Sequence, residues 1–281
     1  MKIGLVLEGG AMRGMYTAGV LDVFMDNNIQ IDGIIGVSAG ALFGVNYLSK
    51  QRGRSLRYSK RFLNDERYIS LKSWITTGNL INKDFAYYDV PFIYDVFDNE
   101  TFKQSHASFY VTLTNVETGK AEYVKITDPF EQMEYFRATS ALPYVSKIVQ
   151  IDGKKYLDGG ISDSIPLDKC RQLGFDKIIV VLTRAFEYRK TKINGIFRRI
   201  IYRKYPKFIE VLANRYQSYN DNVHKVVEAE KQGEIFVFRP SKTLPIKRIE
   251  KDLNKVQAMY DLGVQDAKRG IGALNTYLSR D

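Results

Sequence analysis

The residue best placed to do chemistry is Ser38, in Gly36-Val37-Ser38-Ala39-Gly40. It follows the apolar run Ile31-Asp32-Gly33-Ile34-Ile35, and the stretch Ala41–Leu48 after it reads as the start of a helix. A strand that turns sharply into a helix with serine at the corner is a nucleophile elbow, and Gly36 and Gly40 permit the turn because a larger side chain would strike the strand or the helix. The hydroxyl then stands beside a helix N-terminus, where a substrate carbonyl can reach it. A Gly/Ser turn in any α/β protein can give the same five residues, so the motif needs company.

Two further motifs supply it. A strand, Ile3–Leu7, runs into Glu8-Gly9-Gly10-Ala11-Met12-Arg13-Gly14 and then into a helical pattern. A glycine-rich turn feeding a helix presents several free backbone N–H groups to an anion. Far downstream, Lys155-Tyr156-Leu157-Asp158-Gly159-Gly160 places a carboxylate at the end of a short strand, and Gly159 and Gly160 let the backbone turn away beyond it. An anion-binding turn, an elbow serine and a carboxylate thus each lie at a strand end, and strand ends of an open parallel sheet converge on one crevice.

In this order, Gly-Gly-x-x-Arg-Gly, Gly-x-Ser-x-Gly and Asp-Gly-Gly resemble the motifs of the patatin-like phospholipases, most closely the bacterial members. The block Phe136–Pro143 before the aspartate fits as well, and the likeness covers about residues 1–185. The resemblance implies acyl-ester hydrolysis by a Ser–Asp dyad, with Ser38 as nucleophile and Asp158 as its base. It also implies an oxyanion hole made by backbone N–H groups of Gly9, Gly10, Ala11, Met12, Arg13 and Gly14. There are two departures. Ala11 replaces the third glycine of the family's loop, and Ser164 stands where the family usually has Asn. Ala11 keeps its N–H, but its Cβ disfavours positive φ. A left-handed loop would therefore weaken the hole, whereas Ser164 bears only on local packing.

The two histidines, His106 and His224, sit in no motif, so a Ser–His–Asp triad and a zinc site are both disfavoured. In a dyad Asp158 must take the serine proton itself. Free Asp has a pKa of about 3.9 and is a feeble base, and partial burial would raise its basicity. Loss of one oxyanion-hole donor typically costs roughly 2.7–4 kcal/mol, so the glycine turn matters to rate as much as the dyad. No metal or cofactor is needed. Arg13 has two readings: contact with a lipid phosphate, or a brace hydrogen-bonded to a nearby backbone carbonyl. Glu8 reads as structural.

The elements that must hold these residues alternate. Strands are expected near Ile3–Leu7, Ile31–Val37, Phe109–Asn115, Ala121–Ile126, Lys147–Ile151, Lys154–Leu157, Lys177–Thr183 and Glu234–Phe238. Helices are expected over Met12–Asn27, Ala39–Ser49, Arg54–Glu66, Asp128–Ala138, Leu167–Leu173, Tyr205–Lys231 and Glu250–Arg269. Such alternation predicts a three-layer α/β/α fold with a mostly parallel central sheet covered on both faces. Asp152-Gly153 is a hairpin turn between two alternating runs, which gives Asp152 a structural task and favours Asp158 for chemistry. Residues 1–185 read as the catalytic core, with an aromatic-rich insertion at about 70–105 that serves as an acyl-binding wall or as ordinary packing. Residues 186–281 read as a mainly helical extension with one strand.

The 281 residues are 44% apolar, enough for a substantial core, and carry a formal charge of +10 that favours anionic partners. The single cysteine, Cys170, excludes an intrachain disulfide and reads as a small buried residue. The N-terminus enters strand and glycine turn without a cleavable apolar stretch, and no apolar run approaches the ~18 residues of a membrane span. A cytoplasmic location with peripheral membrane contact is expected. Between Arg184 and Lys207 nine basic residues face one acid, Glu187, and interleave with Phe197, Ile200, Ile201 and Tyr205 at roughly helical spacing. This segment either lies on an anionic membrane or docks on the domain with a solvated basic face. No nucleic-acid motif accompanies it. The expected function is hydrolysis of phospholipid or lysophospholipid acyl esters. The alternatives are a catalytically weak relative acting as a membrane-associated or regulatory module, and a phosphate- or nucleotide-binding module cradling its ligand at Gly9–Gly14.

Overall fold

A computed structural model describes residues 1–192, 195 and 197–280. In chain order the regular elements are β1 (Ile3–Leu7), α1 (Met15–Asp26), β2 (Gly33–Val37), α2 (Ala39–Leu48), α3 (Arg54–Phe62), α4 (Leu71–Thr77) and α5 (Asn99–Gln104). There follow β3 (Ser108–Asn115), β4 (Ala121–Ile126), α6 (Met133–Thr139), β5 (Val149–Ile151), β6 (Lys154–Asp158), α7 (Leu167–Gln172) and β7 (Lys177–Val181). The chain ends with α8 (Phe197–Ile201), α9 (Pro206–Lys231), β8 (Ile235–Phe238) and α10 (Leu253–Leu278).

The strands form one sheet in the order β5-β6-β3-β2-β1-β7-β8, with β4 on the far edge of β3. The pairs β1–β2, β2–β3, β1–β7 and β7–β8 are parallel, and β3–β4, β3–β6 and β5–β6 are antiparallel. Strand alternation divides the core between two faces. Leu5, Leu7, Ile34, Ile179 and Val181 pack with residues of α1, α2 and α10. Val6, Ile35, Ile178 and Val180 pack with residues of α7 and α9. The fold is therefore a three-layer α/β/α sandwich around a mostly parallel sheet, and β8, α9 and α10 are integral to its layers.

One feature of the sheet positions the site. Along β3, residues 108–112 pair with β2, and residues 113–115 pair with β6, while β4 holds the opposite edge over 109–114. The strands β2 and β6 therefore share one edge of β3 and meet end to end. Val37 lies opposite Thr112 and Asp158 opposite Leu113, the next register position. The chain leaves β2 at Ser38 and leaves β6 at Asp158, so two residues far apart in sequence finish at one point.

All eight expected strands form, each within two residues of its expected ends. The Asp152-Gly153 turn has φ of 50° and 76°, the two positive values that a type I′ hairpin requires. Four of the expected helices differ at their ends: Arg54–Glu66 stops at Phe62, and three others shift. The Met12–Asn27 pattern opens as a 3₁₀ turn over Ala11–Gly14 before α1 begins. The Asp128–Ala138 pattern becomes helical only at Met133, because the Asp128 carboxylate accepts the N–H groups of Phe130 and Glu131 in a turn. The last helix starts at Leu253 rather than Glu250, where Asp252 caps it by accepting from Asn254 and Lys255, and it runs past Arg269 to Leu278. The insertion is more regular than expected: α4, a π-helical stretch Phe85–Tyr94 around Pro91, and α5.

Candidate active site

Ser38 has φ 52° and ψ −124°, a strained conformation for a residue with a side chain. Close packing enforces it. A Cβ on Gly36 would lie 2.5 Å from Ala41 Cα, and one on Gly40 would lie 2.5 Å from the Leu7 carbonyl oxygen. The Ser38 N–H donates to Thr139 Oγ1 (2.9 Å), which itself donates to the Thr112 carbonyl (2.6 Å). Thr139 thus ties the elbow to the β3 register that brings Asp158 alongside. It lies within the Phe136–Pro143 block, but its task was invisible in sequence because it depends on a pairing between distant strands.

Asp158 is buried, and its Oδ1 accepts the Gly160 N–H at 2.7 Å. Its Oδ2 is buried without a well-formed hydrogen bond among the described residues, which leaves lone pairs free for a proton. Burial raises the carboxyl pKa above the usual carboxylate range, opposed by the charge of Arg215 and by hydrogen bonding from the Ser38 hydroxyl and the Gly160 N–H. Gly159 opens a short 3₁₀ turn beyond the strand, and Ser164 closes it by donating to the Gly160 carbonyl (2.8 Å). Ser164 thus has a defined local hydrogen bond.

The glycine turn stands against the same cleft. Glu8 is structural, as expected: one carboxylate oxygen accepts from the Thr183 N–H and hydroxyl, and the other accepts from Tyr219 Oη. Of the six backbone donors, two are already engaged. The Met12 N–H bonds to the Arg248 carbonyl and the Arg13 N–H to the Gly10 carbonyl. Gly14 is buried within the 3₁₀ turn, so Gly9, Gly10 and Ala11 carry the donors without an acceptor among the described residues. The Ala39 N–H, first of α2, precedes any carbonyl that its own helix could offer.

Ala11 takes φ 50°, so the loop is left-handed at the position where alanine replaces glycine. Its cost therefore falls on stability and leaves the geometry of the loop formed. A left-handed alanine costs about 1–2 kcal/mol, against roughly 0.5–1 kcal/mol for the greater freedom glycine loses on folding. Ala11→Gly should thus raise unfolding stability by about 0.5–1 kcal/mol in urea titration and leave kcat within about threefold. A large gain in kcat would mean that alanine distorts the loop.

The bracing expectation for Arg13 is corrected. Among the described residues its guanidinium makes no hydrogen bond to a carbonyl, and Nε is buried without a partner. Burial, with Arg184 and Arg248 nearby, lowers its pKa to about 10. Ser38, Asp158, Gly9, Gly10, Ala11 and Arg13 line one cleft of about 490 Å³. Its remaining wall includes Arg184, Lys190, Arg215 and Arg248. Sequence reasoning gave Arg184 and Lys190 to the basic membrane-contact segment and missed Arg215 and Arg248 altogether. A signal existed for Arg215, which shares a helical face with buried Tyr219, Val223 and Val226.

His106 and His224 are exposed and neither lines the cleft. Burial pushes the Cys170 thiol up to about 12, away from any nucleophilic use. Behind α2 lies a second, apolar hollow of about 650 Å³, walled by Leu42 and Tyr58, by Tyr87, Val90 and Pro91 of the insertion, and by Phe136. In the basic segment α8 is only five residues long, with Phe197, Ile200 and Ile201 at 68%, 63% and 54% exposure. Two of its apolar residues, Ile193 and Ile196, lie outside the described residues. The segment is not one continuous amphipathic helix: Tyr202 is buried and receives the Tyr144 N–H on its hydroxyl (2.9 Å).

Residues 5–170 match the family described as "Patatin-like phospholipase", and residues 205–279 match a "Domain of unknown function (DUF6363)". Among curated proteins the chain is 31% identical over 192 residues to the uncharacterized protein YjjU of Escherichia coli, covering 65% of this chain and 52% of that one. It is 28% identical over 205 residues to lysophospholipase nte1 of Aspergillus niger, covering 69% of this chain and 12% of that one. The chain thus spans about half the length of the first relative and a small part of the second. Among solved structures, VipD from Legionella pneumophila aligns with a TM-score of 0.43 at 13% identity, covering 95% of this chain and 67% of that one.

Proposed function

From the premise that the chain belongs to the patatin-like phospholipase family, we propose that it is a serine hydrolase of lipid acyl esters, with Ser38 as nucleophile and Asp158 as general base. The observation that carries this reading is the meeting of β2 and β6 on one edge of β3, which brings the elbow serine beside the buried Asp158 carboxylate. Ser38 Oγ attacks the ester carbonyl while its proton passes to Asp158. The developing oxyanion receives hydrogen bonds from the free N–H groups of Gly9, Gly10 and Ala11. Collapse of the tetrahedral intermediate breaks the ester C–O bond, and the leaving alcohol takes the proton back from Asp158. Water, deprotonated by the same carboxylate, attacks the acyl carbonyl; the acyl–Oγ bond then breaks, Asp158 returns the proton to Ser38, and the acid is released. Residues of this chain supply every proton transfer, so no metal or cofactor enters the scheme.

Phospholipids or lysophospholipids are the proposed substrates, in keeping with the names of the fungal relatives. The apolar hollow suits an acyl chain, and Leu42 in its wall is one helical turn along α2 from Ser38. The catalytic unit extends beyond the core assigned to residues 1–185 with its insertion at about 70–105. The extension over 186–281 supplies Lys190, Arg215 and Arg248 to the cleft wall.

No helix among the described residues is long and apolar enough to cross a membrane. We assign membrane contact to α8, whose exposed Phe197, Ile200 and Ile201 stand among the cations of Arg184–Lys207, an arrangement suited to insertion at an anionic interface. The test compares turnover of a soluble p-nitrophenyl ester with that of lysophospholipid in anionic vesicles. The wild type should hydrolyse both. Changing Phe197, Ile200 and Ile201 together to Ser should lower the vesicle-to-soluble ratio at least about tenfold, as each buried CH₂ contributes about 0.8 kcal/mol. Hydrolysis of neither substrate would contradict the enzyme assignment, and an unchanged ratio would return α8 to solvent.

A further inference from the structure

The cleft beside Ser38 carries more positive charge than its own residues neutralise. Arg13, Arg184, Lys190, Arg215 and Arg248 line it, against the two carboxylates of Glu8 and Asp158. Among the described residues none of these five cations forms an ion pair within 4.0 Å. Glu8 is already taken by Thr183 and Tyr219, so it is not positioned as their counter-ion. Arg13 is buried, Arg184, Lys190 and Arg215 are half-buried and Arg248 is exposed at the rim; charge of one sign withdrawn from water is costly unless something pairs with it.

The cations are nevertheless held deliberately. Arg184 lies over the Tyr188 ring at 3.9 Å, and Lys190 over the Tyr219 ring at 3.6 Å, while the two rings meet edge to face at 5.9 Å. Ring faces hold a cation without neutralising it. The Lys190 backbone is clamped at both ends by the Asn220 side chain, which accepts its N–H (2.8 Å) and donates to its carbonyl (3.0 Å). Arg215 Nε donates to the Gly160 carbonyl at 2.7 Å, two residues from the proposed base, which leaves its terminal nitrogens available. Arg13 adds its unpartnered, buried Nε from the glycine turn.

We propose that Arg13, Arg184, Lys190 and Arg215, with Arg248 at the rim, form a binding site for a phosphate group, and that the enzyme therefore favours acyl esters bearing an uncompensated anionic phosphate over zwitterionic or neutral ones. The substrate half of this proposal rests on the hydrolase reading, and the binding half does not. Five cations against two carboxylates leave room for more than one negative charge, which suits a phosphomonoester. A quaternary ammonium in a choline headgroup would be repelled by the same field. Charge-assisted hydrogen bonds from arginine and lysine supply the recognition. The free protein already shows the strain of this charge. Burial and neighbouring Arg215 push the Lys190 ammonium well below the usual lysine range, against the opposing carboxylates of Glu8 and Asp158 and alongside Arg248. An arriving phosphate favours the protonated amine, so binding should tighten as pH falls towards the phosphate's own second pKa.

The test uses short-chain soluble ligands and calorimetry on the Ser38→Ala protein, so that binding is read without turnover. The ligands are hexanoyl glycerol 3-phosphate, its phosphocholine analogue, hexanoyl glycerol and inorganic phosphate. The phosphomonoester should bind at least about tenfold tighter than the neutral and the choline ligands, the equivalent of one good charge-assisted contact. Inorganic phosphate should compete with it. Lys190→Gln, alone and with Arg184→Gln, should cut that preference at least about fivefold in a protein of unchanged circular dichroism. Equal affinity for the phosphorylated and neutral esters would overturn the proposal. Binding of inorganic phosphate with no preference among the esters would assign the cleft to free phosphate and equally overturn the substrate claim. If the phosphomonoester binds preferentially yet the wild type cleaves none of these esters, the anion site stands and the hydrolase reading falls.

Discussion

Ser38→Ala should lower acyl-ester turnover by roughly 10⁴-fold or more, the scale on which loss of the nucleophile acts in serine hydrolases. The fold should survive. Alanine keeps the backbone N–H that bonds Thr139, and Gly36 and Gly40 still allow the close approaches at the turn. Neither Thr183, which spends its hydroxyl on Glu8, nor Cys170, which lies elsewhere with its thiol pushed up to about 12, is placed to take over as nucleophile. Steady-state kinetics on a p-nitrophenyl ester checks the prediction, with thermal unfolding as the control for structure. A folded Ser38→Ala protein with undiminished turnover would place the chemistry at another residue.

Asp158→Asn should separate activity from stability. Asn preserves the shape and can still accept the Gly160 N–H, but it cannot take a proton from Ser38. Turnover should fall by about 10²–10⁴-fold, the usual contribution of a positioned base. Stability should move the other way. Burial holds the Asp158 pKa above the ordinary carboxylate value, so the ionised form is disfavoured in the folded protein. That penalty is absent below the unfolded pKa of about 3.9, develops as pH rises through the folded value, and is complete above it. At neutral pH the neutral Asn escapes the penalty, and the urea midpoint should rise. The same shift sets the acid limb of wild-type kcat/KM. The base is lost as pH falls through its raised pKa, so the limb should lie above about pH 4 and be missing from the residual activity of Asp158→Asn. Neutral-pH destabilisation by Asn, with full activity, would make Asp158 a structural carboxylate.

Much of the layout was legible because it rests on local patterns. Near-continuous apolar runs in Ile3–Leu7 and Lys177–Val181 mark strands buried on both faces, and both lie centrally in the sheet. The Asp-Gly hairpin and the elbow at Ser38 are short-range features set by backbone sterics. The proximity of Ser38 and Asp158 is different in kind. It follows from a register in which β3 exchanges one parallel partner for an antiparallel one between Thr112 and Leu113, and no local pattern encodes that exchange.

The basic segment shows the same limit. Counting nine cations between Arg184 and Lys207 describes their density and not their direction. Arg184 and Lys190 turn inward to the cleft because Tyr188, Tyr219 and Asn220 hold them there, whereas Phe197, Ile200 and Ile201 face outward. Two of those three partners lie in α9, some thirty residues on, and only the folded chain brings them together. Helix ends were misplaced where side chains competed with the helix for backbone donors, as Asp128 and Asp252 do.

The central claim is that Asp158 activates Ser38 as a nucleophile, and a fluorophosphonate probe tests it most directly. Intact-mass measurement followed by peptide mapping should find one adduct, on Ser38, in the wild-type protein. Labelling should be absent from Ser38→Ala and slowed at least about a hundredfold in Asp158→Asn. An adduct on a different residue, or Ser38 labelling at an equal rate with and without the Asp158 carboxylate, would contradict the dyad.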